Sequence, residues 1–266
     1  MDFSNVKEWT IPEGSVFKVT DSLGRVIWEL DVPLKDDYFF IENISGNENR
    51  ISFRKSLAGA IAIDIYFSRD QVNWQLLGTT DGSANPPTVT LNANERIFFK
   101  ATASYWGDVS SNIYYDYISS TYEFNAGGNI MSLLYGDDFK NKYLPDRATF
   151  HSMFNNSKIV SASKLALPEN TQTKCYYNMF KNSISLIKAP VLPSSYVSVN
   201  AYMEMFQGCT SLNRIISYAK NAPSGDSFKN WVDGVSATGD FYNLGGYIFS
   251  TGSSGIPSGW TKHTSL

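Results

Sequence analysis

Hydrophobic positions follow two regimes along this chain. In the first half they alternate with polar ones over short runs, the signal of half-buried strands. In the second half they return at a long, fixed interval. Val16-Phe17-Lys18-Val19-Thr20 and Arg25-Val26-Ile27-Trp28-Glu29 are alternating runs joined by the turn-forming Asp21-Ser22-Leu23-Gly24. Upstream, Val6, Trp9 and Ile11 followed by Pro12-Glu13-Gly14 read as a third short strand. Three strands of this size cannot hold a core alone. Residues 1–32 are therefore expected to pack on the next domain, on another subunit or on a larger assembly. Trp9, Ile11, Phe17, Val19, Val26 and Trp28 are the candidate attachment contacts. An equally weighted reading makes the same strands an extra edge of the domain that follows.

Residues 33–125 carry seven strand-like runs, at 38–42, 51–54, 61–67, 74–77, 88–91, 96–101 and 112–118. Ser45-Gly46-Asn47, Asp81-Gly82-Ser83, Asn85-Pro86-Pro87 and Asn92-Ala93-Asn94 punctuate them. This spacing predicts an immunoglobulin-like β-sandwich.

The long interval belongs to residues 126–266. Met153-Phe154, Met179-Phe180 and Met205-Phe206 are each 26 residues apart, and flanking residues recur in register. Tyr176, Ser183 and Leu186 of the cleanest copy answer to Tyr202, Cys209 and Leu212 of the next. A fixed period of about 20–50 residues marks stacked coils, each burying its apolar face against its neighbour. Repeats are placed near 150–175, 176–201 and 202–220. Residues 130–135 are expected to cap the first coil, and the Gly- and aromatic-rich stretch 228–260 to cap the last. The fold class is thus mainly β with short helices: an amino-terminal β module, a sandwich and a short capped solenoid.

Composition adds exclusions. With 42% hydrophobic and 18% charged residues, sizeable cores can form. The net charge of −3 and the absence of a Lys/Arg cluster speak against nucleic-acid binding. No run approaches the roughly 20 apolar residues of a membrane helix. Met1-Asp2-Phe3-Ser4-Asn5 lacks a secretory signal, so the chain works without such export or its leader is missing from this sequence. Cys175 and Cys209 sit at different phases of the repeat, which favours buried thiols about two to one over a disulfide.

The spacing Phe180-x-x-Ser183-x-x-Leu186, with Phe206-x-x-Cys209-x-x-Leu212 and Phe154-x-x-Ser157-x-x-Val160, resembles the BspA-like leucine-rich repeat. Met here replaces the family's Ala, and its Cys is kept only at Cys209. The closing Gly255-Ile256-Pro257-Ser258-Gly259-Trp260 looks like endings of such arrays in Bacteroides-type gut bacteria and their phages. The opening Trp9-Thr10-Ile11-Pro12-Glu13-Gly14-Ser15-Val16 looks like a short module shared by unrelated proteins of gut phages. What the resemblance implies is a virion structural protein in a head-fibre, capsid-decoration or tail-fibre role. Its implied partners are other virion proteins, through the amino-terminal module, and a host surface glycan or protein. Homo-oligomerisation is expected from that class. The alternative is an exported bacterial surface adhesin or carbohydrate-binding protein.

Candidate chemistry is sparse. His151 and His263 are the two histidines, too few for a His-based metal site, and no Gly-x-Gly-x-x-Gly or Walker string occurs. No catalytic, cofactor-binding or metal-ligating residue is assigned, and the chain is read as non-enzymatic. Ser68-Arg69-Asp70-Gln71-Val72-Asn73-Trp74 is a degenerate Asp-box turn, a structural motif that implies a hairpin. Tyr105, Trp106, Tyr114 and Asp116 could form a sugar-stacking platform or partner contact, rings packing on C–H groups while the acid takes hydroxyls. Core packing of the same aromatics is favoured about three to one, because alternation buries one face of a strand.

Overall fold

The computed structural model describes residues 15–20, 26–56, 62–104, 106, 116–145, 148–223 and 225–266, with the backbone alone for 16, 17, 19, 20 and 26–31. The chain is mainly β. β1 (Val16–Thr20) and β2 (Val26–Asp31) form an antiparallel hairpin. Eight strands follow: β3 (Phe39–Asn43), β4 (Asn49–Lys55), β5 (Ile63–Ser68), β6 (Gln75–Thr80), β7 (Thr88–Leu91), β8 (Arg96–Ala101), β9 (Asp116–Ser120) and β10 (Phe124–Asn129). Two of the expected runs, 88–91 and 96–101, coincide with their strands. The 112–118 run is described only from Asp116 onward.

These strands make two facing sheets, ordered β10-β3-β8-β5-β6 and β7-β4-β9. Inward residues of both sheets meet in the core, where the rings of Phe53 (β4) and Phe99 (β8) lie 4.9 Å apart. Phe39, Ile51, Ile65, Ile97 and Phe124 complete it without solvent exposure.

β10 was not expected, because Gly127-Gly128 reads locally as a turn. A domain boundary between residues 125 and 126 falls inside this strand. Its glycines answer to tertiary contact. A Cβ on Gly127 would strike the Phe40 ring, and one on Gly128 (φ 73°) would overlap the Tyr38 carbonyl. β10 pairs antiparallel with β3 on one side and parallel with β11 (Ile159–Ala166) on the other. β11 belongs to the first coil, so one sheet runs from the sandwich into the repeats.

Each coil has two walls. On one, parallel pairing passes from β11 through single bridges to β12 (Arg214–Ser217), β13 (Gly239–Asn243) and β14 (Trp260–His263). On the other, the chain is a ribbon of overlapping turns. Met153, Met179 and Met205 donate their amides three residues back. The adjoining Phe154, Phe180 and Phe206 donate to the next coil, at Met179, Met205 and Trp231, over 2.8–2.9 Å. Alternation of these two bonds satisfies the ribbon's buried amides. Left-handed residues recur in the 26-residue register: Asn156, Asn182, Gly208 and Gly234 form one column, and Ser152, Asn178, Glu204 and Asn230 another. Asn and Gly are the residues that take this conformation at least cost.

The register continues beyond the third expected copy, which was placed at 202–220. Phe228 follows Tyr202, and Trp231 follows Met205, at the same 26-residue spacing. A fourth coil therefore occupies the start of the stretch taken as a cap. Phe154, Phe180 and Phe206 stack at 5.3 and 5.6 Å, with interplanar angles of 8° and 16°. Trp231, Phe241 and Phe249 close the far end. The near end is covered by the sandwich itself, through Phe39 and Phe124 against Phe154. The segment 130–135, expected to cap the first coil, bonds to both parts: the Ile130 amide donates to the Ala166 carbonyl of β11 at 3.3 Å, and the rest reaches the sandwich. There Ser132–Tyr135 is a helical turn, α1, whose Ser132 hydroxyl accepts from the Phe39 amide and donates to the Phe99 carbonyl.

Candidate interaction surfaces

The hairpin pairs only with itself among the described residues. Its register sets Phe17 opposite Leu30 and Val19 opposite Trp28, with Lys18 opposite Glu29 between them. By the period-two rule the first two pairs share one face of the ladder. A bulge after Val19 shifts the pairing, so Val26 stands opposite Thr20. Trp9 and Ile11 lie outside the described residues. Beyond β2, the Leu34 amide donates to the Lys164 carbonyl at 3.2 Å and ties the hairpin's exit to β11.

Trp106 and Asp116 do not form a surface platform. They are 1% and 2% exposed. The Trp106 indole donates to the Asp116 carbonyl, and its ring packs between Phe53 of the sandwich and Phe150 of the first coil. Phe150 in turn donates its amide to the Trp106 carbonyl at 3.0 Å. Asp116 points inward and meets the Lys55 ammonium at 2.6 Å, which compensates the burial of both charges. Trp106 bolts the sandwich to the coils, and Asp116 holds the Trp106 indole from the sandwich side. Tyr105 and Tyr114 lie outside the described residues.

The Asp70 motif is the expected hairpin turn, joining β5 to β6. Its carboxylate accepts from the Asn73 and Val72 amides and from the side chains of Asn73 and Ser68. The Asn73 amide above all holds the carboxyl well below its ordinary range.

Cys175 and Cys209 are separate buried thiols, each pushed up to about 12 by desolvation. The Cys209 thiol donates to the Phe180 carbonyl at 2.9 Å, as the Ser183 hydroxyl does to Phe154 at 2.6 Å. That is why Ser and Cys interchange at this phase.

His151 is buried and stacked on Tyr177 at 4.9 Å. Burial, then the nearby Lys174 ammonium, push its imidazole down to about 4. The folded protein thus keeps it neutral where the unfolded chain, titrating near 6.5, binds a proton. Its contribution is fully present above pH 6.5 and is lost as pH falls toward 4, by about 3 kcal/mol in all. Urea unfolding at pH 7.5 and pH 5 should show about 2 kcal/mol of this loss in the native protein. His151→Phe, which keeps a ring against Tyr177, should show most of it removed.

Comparison of the chain with family models, with curated proteins and with solved structures found no match. Among the described residues no group of three or more His, Cys, Asp or Glu side chains could hold a metal ion, and no helix is long and apolar enough to cross a membrane.

A groove of about 700 Å³ crosses the coils. It begins beside Val32 and Pro33 at the hairpin's exit and follows the ends of the parallel strands across successive coils. Two exposed tyrosines line it, Tyr143 (63%) and Tyr218 (40%). Neither was singled out in the sequence. Tyr218 does carry one signal, since it stands 25 residues after Pro193, which itself follows Pro168 by 25.

Proposed function

We propose that the chain is a non-enzymatic virion structural protein of a phage of Bacteroides-type hosts, as a head fibre, capsid decoration or tail fibre. Its amino-terminal module holds other virion proteins, and its body offers a surface to a host glycan or protein. The observation that carries this reading is the β1–β2 hairpin, which pairs with no other described strand. An isolated two-stranded hairpin is marginal in water and needs a cover. A particle protein supplies that cover, and a homo-oligomer presents several such hairpins at once. The phage assignment itself rests on the resemblance of the opening module.

The finer fold reading goes with it. The pairings β4–β7 and β5–β8 support an immunoglobulin-like sandwich, although β3 beside β8 and β9 beside β4 depart from that topology. The 26-residue coils with one parallel wall support a short leucine-rich-repeat solenoid.

Deleting residues 1–32 should leave the remainder folded, with its circular dichroism and melting temperature retained, but absent from purified particles. A truncated chain that still joins the particle, or that unfolds, contradicts the attachment reading. The exported adhesin or carbohydrate-binding protein is the second reading, favoured by the exposed tyrosines of the groove. Recovery of the native chain on bacterial cells and its absence from particles would decide for it.

A further inference from the structure

We infer that the groove holding Tyr143 and Tyr218 binds a neutral oligosaccharide laid along the coils. This deepens the surface-presenting reading above by naming a ligand class and a place.

Shape comes first. The groove runs across stacked coils, whose neighbouring strands are spaced by about 4.8 Å. That spacing suits an extended chain of pyranose rings, one ring to a coil. Pro168, Pro193 and Tyr218 line it at 25-residue steps, and Tyr143 stands on the loop beside them. Tyrosine rings offer flat faces to the C–H groups of sugars, and the proline rings add apolar surface beside them.

Both tyrosines stand on fixed backbone. Leu144, next to Tyr143, is 2% exposed, and its amide donates to the Asn170 side chain at 2.9 Å. The Asn170 and Gln172 amides donate back to the Leu144 carbonyl. The Tyr135 hydroxyl donates to the Tyr143 carbonyl at 3.1 Å. Tyr218 donates its amide to Leu192, and Gly245 presses so closely on the Tyr218 carbonyl that no Cβ would fit. Rings on immobilised backbone lose little freedom on binding.

The polar lining selects against a charged polymer. Lys140 pairs with Asp36 across the groove at 3.4 Å, and Lys142 with Asp138 at 2.7 Å. The lining carries Lys35, Lys140 and Lys142 against Asp36 and Glu169, and Lys142 is paired with Asp138 outside it, so no strong field of one sign favours a polyanion. Asn141 and Glu169 remain to exchange hydrogen bonds with hydroxyls.

The test is calorimetric titration of the isolated full chain with neutral hexasaccharides at millimolar concentration: maltohexaose, cellohexaose, xylohexaose, mannohexaose and chitohexaose. Saturable binding of at least one is expected. Tyr143→Ala and Tyr218→Ala should each weaken it about tenfold or more. Tyr196→Ala, an exposed tyrosine outside the groove, should leave it unchanged, and all three variants should melt as the native chain does. No saturable binding to any of the five, or binding indifferent to both groove variants, overturns the inference. Particle attachment is read from the 1–32 deletion instead, so either proposal can fail alone.

Discussion

Phe180→Ala is expected to destabilise the protein by about 3–5 kcal/mol. Phe180 has no solvent exposure, and its ring is held on both faces, by Phe154 at 5.3 Å and Phe206 at 5.6 Å. The parallel wall and the turn ribbon are tied coil to coil by backbone bonds, so neither neighbour can close on the cavity without breaking that ladder. Two ring-to-ring contacts go with the side chain, and each such contact adds about 0.5–1.5 kcal/mol beyond area burial. Chemical denaturation measures the effect. A loss below about 1 kcal/mol would mean that the column of rings is not a stacked core.

Gly128→Ala is expected to cost about 4 kcal/mol, from left-handed strain and overpacking together. The backbone there has φ 73°, and the added methyl would overlap the Tyr38 carbonyl, which is backbone and cannot swing aside. Gly128 sits in β10 opposite Leu165 of β11, so relief of the clash must open the sandwich or the first coil. Gly46→Ala is the control. Its Cβ would meet nothing within 4 Å, and a change within about 0.5 kcal/mol is expected. Equal effects of the two substitutions in denaturant unfolding would contradict the seam described.

The contrast between Phe180 and Gly128 shows what could be read in advance. Phe154, Phe180 and Phe206 repeat at one interval because the coil repeats, and local periodicity carries that directly. Strands such as β7 and β8 are legible for the same reason. Gly128 is glycine because a distant carbonyl sits against it, and nothing in its neighbours announces that. The fourth coil was hidden by substitution, Trp231 and Val232 replacing the Met-Phe pair. The column Asn156, Asn182, Gly208 and Gly234 marked it all along, through a backbone requirement and not through hydrophobicity.

Surface function was less legible. Trp106 and Asp116 have the composition of a sugar platform, yet a buried seam uses the same residue types, and only contact with Phe150 and Lys55 tells the two apart. Tyr143 and Tyr218 lie 75 positions apart in sequence. Their meeting at one groove depends on how loops fold over coil ends, which no local pattern encodes.

The proposed display on a particle needs a body in one piece, and β10 joins its two parts. It gives one edge to β3 and the other to β11, while Trp106 packs across the same seam. Differential scanning calorimetry of the full chain tests this most directly. One transition is expected for the sandwich and coils, with equal calorimetric and van't Hoff enthalpies. Two separable transitions, with the coils still folded after the sandwich has melted, would contradict it.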